Sequence, residues 1–333
     1  MHQDSANALY WGNIVAIVIG LSSCVHRGFL AYGADFAPNR TKMPMLILPQ
    51  HPRASSSNSK PYDTMRASVN ELDNVARSSA VISLSSVAVR FESGLLALQG
   101  TSLSVAEGEF VTLLGPSGCG KSTVLKLVAG LAAPTEGAVA SPAQQDQTGR
   151  STAYVFQEPT LLPWATVFDN VWLPLRLQGR SRHDAQAVIA RVLEQVGLGE
   201  FAQSYPAQLS GGMKMRVSIA RALVSQPQVL LMDEPFAALD DITRQRLNVD
   251  LLTWWHGQSM AALFVTHNVA EAVFLSQRVL VMGARPGKVI AEVIVDQPYP
   301  RDTAFRQTQA FLRHCQTLSA ALDEASTIRT TSQ

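Results

Sequence analysis

The sequence has little cysteine, almost no net charge and a single long apolar run. Its three cysteines, Cys24, Cys119 and Cys315, are too few and too scattered for a disulfide framework or a cysteine metal site, so a reducing compartment is expected. Lysine and arginine number 27 against 26 acids, a net charge of +1. Nothing in that balance argues for a nucleic-acid partner, and none is expected. The apolar run, residues 8–25, is short for a membrane span and contains Asn13. It does not start like an export signal, because Asp4 precedes it and the first arginine, Arg27, follows it.

What is present is ample material for a core: 333 residues, 47% of them hydrophobic. Residues 33–80 are rich in Ser, Pro, Asn and Arg and lack an apolar period, so residues 1–80 are expected to form a disordered extension. Leu21-Ser22-Ser23-Cys24 resembles a lipid-attachment box, but the flanking charges oppose that reading. Met65 is the expected functional start, with membrane anchoring through 8–25 as the alternative.

An ordered domain is expected over 81–302, followed by a helical tail over 303–333. It opens with a strand pattern, Ile82, Leu84, Val87 and Val89, ending at Phe91. The apolar run Phe110–Leu114 leads into GPSGCGKST: Gly115, Pro116, Ser117, Gly118, Cys119, Gly120, Lys121, Ser122 and Thr123. The periodic segment from Val124 follows. Strand, glycine loop and helix in that order make a phosphate cradle, because glycines let the backbone wrap an anion and the amides of a helix N-terminus point at it. Lys121 offers a charge to the β- and γ-phosphates and the Ser122 hydroxyl a ligand to Mg²⁺. Cys119 reads as a variable position of the loop, with nothing nearby in sequence to activate its thiol.

Downstream, Val229–Met232 is a strand buried on both faces, ending in Asp233 and Glu234. Adjacent carboxylates repel unless a cation is near, which assigns Asp233 to Mg²⁺ and Glu234 to the hydrolytic water. Gln157 stands where an apolar strand becomes a loop holding Pro159 and Pro163, placed to reach metal and water. Residues 164–225 are expected to be an inserted helical subdomain. Within it Ser210-Gly211-Gly212 opens a helix expected over 214–225, a second anion cap. One nucleotide hardly needs two such caps, so the second is expected to serve a nucleotide held by a partner chain.

Taken together, the phosphate loop, Gln157, LSGG at 209–212, the Asp233-Glu234 pair and His267 resemble the ABC transporter ATPases. The resemblance implies an α/β P-loop NTPase core with an antiparallel β sheet at the start of the domain and an inserted helical subdomain. It also implies Phe91 beneath the adenine ring, His267 on the γ-phosphate, and Asp240 in a segment linking the two sites of a dimer. Met213 and Met215 depart from the family, which usually has glutamine there. Leu161–Trp164 and the stretch 271–290 are similar to subunits of importers for nitrate, taurine and other sulfonates, and thiamine-pyrimidine precursors. The expected cofactors are ATP and Mg²⁺, and the expected partners are a second ATPase subunit, membrane-spanning permease subunits and, through these, a solute-binding protein. The expected location is peripheral, on the cytoplasmic face of the membrane. An export ATPase or a soluble ABC-type ATPase is the alternative.

Overall fold

A computed structural model describes residues 80–146 and 151–327, all within one unit of the chain. The expected extension, with its apolar segment and Met65, lies outside the described residues except for Ala80.

The chain begins with two long antiparallel strands, β1 (Ala80–Arg90) and β2 (Leu96–Ala106), followed by β3 (Phe110–Leu114) and helix α1 (Lys121–Val128). Then come β4 (Glu136–Ala140), the four-residue helix α2 (Pro142–Gln145) and β5 (Thr152–Val155). Two helices, α3 (Val167–Leu177) and α4 (Arg182–Gln195), precede α5 (Gly211–Leu223). The chain alternates again through β6 (Val229–Asp233), α6 (Asp241–Trp255), β7 (Ala261–Thr266), α7 (Val269–Leu275), β8 (Arg278–Met282) and β9 (Val289–Ile294). It closes on α8 (Gln309–Thr327).

Two sheets result. One is antiparallel in the order β2-β1-β4; the other runs β5-β6-β7-β3-β8-β9, parallel except for β9. In the larger sheet side chains alternate between two cores. Leu230 and Met232 of β6 face one with Phe264 of β7, while Val229 and Leu231 face the other with Leu263 and Val265. Strands covered on both faces favour apolar side chains throughout, which explains the near-continuous runs in β3, β6 and β7; in β3 the buried Thr112 hydroxyl is satisfied by Ser276 Oγ.

The spacing of apolar residues in β1 skips one position between Leu84 and Val87. The structure answers with a break in pairing register there and with Ser86 at φ 49°. A bulge restores all four apolar side chains, Ile82 to Val89, to the buried face.

The helices of the insert start where their caps dictate. Thr166 accepts from the Asp169 amide and Ser181 from that of Asp184, and α4 stops before Gly197, whose φ of 71° suits a glycine after a helix. Helix α5 departs from expectation by beginning at Gly211 instead of Lys214. The cause is Ser210, whose Oγ accepts from the Met213 amide at 3.3 Å and draws both glycines into the first turn.

Candidate functional site

Parallel strands present all their C-terminal ends at one sheet edge, and the sequence-predicted residues collect there. The phosphate loop follows β3. Gly118 and Gly120 have φ of 77° and 102°, and a Cβ on Gly120 would stand 2.7 Å from Leu98 Cδ2, so glycine is required in both respects. Lys121 opens α1 and is buried. Its Nζ donates to Gly115 O at 2.8 Å and Pro116 O at 3.1 Å and lies 3.7 Å from Glu234 Oε1.

Strand β6 delivers the two carboxylates. Asp233 Oδ1 accepts from Ser122 Oγ at 2.9 Å, and Oδ2 accepts from the Tyr154 hydroxyl at 3.1 Å. Burial holds the Asp233 carboxyl above its usual pKa, opposed by those two hydrogen bonds, and burial together with Asp233 raises the Tyr154 phenol. Glu234 sits at φ 46°, a strained conformation for a side chain with a Cβ, held by its amide on Val265 O at 3.0 Å. The strain turns its carboxylate to His267, whose Nδ1 is 2.9 Å from Glu234 Oε2.

Gln157, two residues past β5, lines the same cleft as Lys121, Ser122 and Glu234, a volume of about 390 Å³. Phe91 stands at its wall, 46% exposed, so it is not the ordinary core aromatic that a strand end would also accommodate. Cys119 is buried in the loop, with its thiol pKa raised by burial, away from the reactive range.

The helix start expected to be a second anion cap is elsewhere. Ser210, Gly211, Gly212 and Asp240 do not line this cleft. Ser210 and Gly211 are exposed, and Asp240 is the exposed cap of α6, accepting from the Thr243 amide at 2.9 Å. That hydrogen bonding lowers the Asp240 carboxyl pKa. Met213 packs against the core and Met215 is buried, so the two methionines contribute apolar packing at the root of α5.

Among the described residues no group of three or more His, Cys, Asp and Glu side chains could hold a metal alone. Ser122 and Asp233, with Gln157 on the same cleft, nevertheless fit Mg²⁺, which takes few protein oxygens and draws the rest from phosphates and water. The buried Asp233 carboxylate is of the kind a cation would favour.

The matches to known proteins fall on these same elements. The family model described as ABC transporter matches residues 98–237. A nitrate import ATP-binding protein of Synechocystis is 42% identical over 234 residues, covering 70% of this chain and 88% of that one. The chain belongs to the ABC transporter ATPases. It is accordingly a nucleotide-binding enzyme whose ATP hydrolysis is coupled to transport. A taurine import ATP-binding protein of Rhizobium johnstonii is 44% identical over 210 residues, 63% of this chain and 80% of that one. A dimeric ATP-binding cassette solved after hydrolysis with ADP and phosphate is 31% identical. It covers 65% of this chain and all of that one with a TM-score of 0.56.

Sequence reasoning about this ABC ATPase missed three residues. Tyr154 bonds the Asp233 carboxylate; its signal in the sequence is a lone phenol in a short strand. Arg221 is fully enclosed in α5 and reaches across to the Gln157 loop, donating to Pro159 O, Thr160 O and Thr160 Oγ1 at 2.9–3.0 Å. Burial lowers its pKa to about 10, so it remains charged at neutral pH and ties the helix behind Ser210 to the loop behind Gln157. Arg285 donates through Nε to Gly118 O at 2.7 Å and lines the cleft.

Proposed function

We propose that this ABC ATPase energises import of a small solute, of the nitrate, taurine or other sulfonate, or pyrimidine type, through separate membrane-spanning subunits. Two chains bind two ATP head to tail. Each nucleotide lies between Gly115–Thr123 of one chain and Ser210–Gly212 of the other, with Asp240 beside the interface. The observation that carries this reading is the separation of the two expected anion caps: Phe91, Lys121, Ser122, Gln157 and Glu234 share one cleft, while the helix start capped by Ser210 is exposed elsewhere. The dimeric relative with ADP and phosphate supports the arrangement.

In this reading Lys121 and the loop amides bind the phosphates, and Phe91 stacks on the adenine. Ser122, Asp233 and Gln157 would hold Mg²⁺, which would supply charge neutralisation on the phosphates. Glu234 takes the proton of the attacking water, and His267, 2.9 Å from that carboxylate, orients it and contacts the γ-phosphate. Gln157 and the helices of 164–225 pass the closed state to the permease, since the Arg221 clamp makes that loop and α5 move together.

The domain boundaries at 81–302 and 303–333 belong to the same proposal, as does a peripheral location on the cytoplasmic face. Among the described residues no helix is long and apolar enough to cross a membrane. An export ATPase is the second reading, and the two import-named relatives weigh against it. The test is uptake of labelled nitrate, taurine, an alkanesulfonate and a thiamine-pyrimidine precursor in the native host, with and without Glu234→Gln. Loss of uptake of one solute alone is expected; unchanged uptake of all four would reject this group of solutes.

A further inference from the structure

We propose that Arg285 is a nucleotide-binding residue that sets a second positive charge against the phosphate chain. The inference rests on reading the cleft as the ATP site.

The turn between β8 and β9 is hydrogen-bonded to β2 and packs against the phosphate loop. The Gly287 amide donates to Ala97 O at 2.8 Å, and Gly287 O accepts from the Gln99 amide at 3.1 Å and from Thr101 Oγ1 at 2.9 Å. A Cβ on Gly287 would lie 2.0 Å from Cys119 O, so the turn's backbone rests directly on the loop. Arg285 leaves this fixed turn and packs on Gly118, where an added Cβ would lie 2.8 Å from Nη2. Its guanidinium, although exposed, is held over the loop by that backbone contact.

Of its donors only Nε is used, on Gly118 O. Among the described residues neither terminal nitrogen has a hydrogen-bond partner, and no carboxylate lies within ion-pair distance. Lys121 contrasts with it: that ammonium already serves two carbonyls and faces Glu234. The charged groups lining the cleft are Lys121, Arg285 and Glu234. Without Arg285 the lysine and glutamate side-chain charges offset each other, leaving the loop amides as the chain's own attraction for a polyanion. A planar fork with free N–H groups suits phosphate oxygens.

The test is calorimetric titration of the full chain with ATP, ADP and adenosine in Mg²⁺ at low and high salt. Arg285→Ala is expected to weaken ATP and ADP by about tenfold, in line with a lost charged hydrogen bond, and to leave adenosine unchanged. Arg285→Lys should recover part of the loss, and added salt should shrink it. Unchanged ATP affinity in Arg285→Ala, or an equal loss for adenosine, would overturn the inference. A wild-type chain that binds no ATP would overturn the reading of the cleft instead. Should Arg285→Ala not fold, Arg285→Gln, which keeps a donor without charge, carries the same test.

Discussion

Replacing Glu234 by Gln separates binding from chemistry, because the two effects have opposite sign. The carboxylate lies 3.7 Å from the Lys121 ammonium, and the two side chains are 20% and 4% exposed. At an effective dielectric of about 20, charges at that distance attract by about 4 kcal/mol, so Glu234 offsets much of the charge that would hold phosphate. Glutamine removes the offset without changing side-chain length. The strained backbone at φ 46° is held by Val265 O, an interaction the substitution leaves alone. ATP affinity should therefore be equal to or tighter than that of wild type. Turnover should fall by about 10²–10⁴, the loss of a general base, or roughly 3–5 kcal/mol in the barrier. Single-turnover phosphate release from MgATP, beside equilibrium ATP binding, measures both. Near-normal turnover would refute the proton-accepting role. Turnover and affinity falling in proportion would show instead that Glu234 only shapes the loop.

Four further outcomes are expected. Phe91→Ala should weaken ATP about tenfold in fluorescence titration, the scale of one lost stacking contact, with ADP affected equally; unchanged affinity in a folded protein rejects stacking. Ser210→Arg places a bulky cation at the outward cap, so light scattering should detect no MgATP-dependent dimer while each monomer still binds ATP; a dimer at wild-type yield contradicts the shared site. Arg221→Leu leaves the partly buried Pro159 and Thr160 carbonyls without their donor, and denaturant unfolding should show a loss of about 1–3 kcal/mol. A loss under about 0.5 kcal/mol, the scatter of an ordinary surface change, would mean that the clamp is not structural. Burial raises the Glu271 carboxyl above its ordinary 4.5, so the folded chain keeps that proton to higher pH than the unfolded chain. The stability linked to the proton is full below pH 4.5 and is lost as pH rises through the folded value. The stability of wild type relative to Glu271→Gln should thus decline from pH 4.5 towards neutrality, and a difference that grows with pH would contradict the assignment.

How legible each part was in the sequence follows from what each segment packs against. β7 ends at Thr266, immediately before His267, as its apolar run indicates, because a strand buried on both faces is apolar from Ala261 to Val265 and only its last residue is polar. Helix α6 was not legible. Its buried apolar residues, Leu247, Leu251, Trp254 and Trp255 among them, stand at helical spacing only in the C-terminal half, while Ile242 near its start is 83% exposed, so the stripe is too short to mark the whole helix. The short helix α2 leaves almost no signal: it has no buried residue, and only Pro142 after Ser141 marks its start. The signature turn was readable from its glycines, but the start of α5 was displaced, because two glycines argue against helix until the Ser210 cap is included.

The same physics shows why the site residues sit so far apart in sequence and why one of them escaped notice. In a parallel sheet the C-terminal ends share an edge whatever the chain order, so the order β5-β6-β7-β3-β8 aligns five strand exits. Gln157 follows the first, Asp233 and Glu234 end and follow the second, and His267 follows the third. Gly115 follows the fourth, and Arg285 comes three residues after the fifth. The first four exits carry motifs that single themselves out. The fifth carries only Arg-Pro-Gly, weak as a pattern, yet its position obeys the same rule. A polar side chain within three residues of a parallel strand's C-terminal end belongs to the phosphate edge until geometry removes it, and geometry brings Arg285 to Gly118.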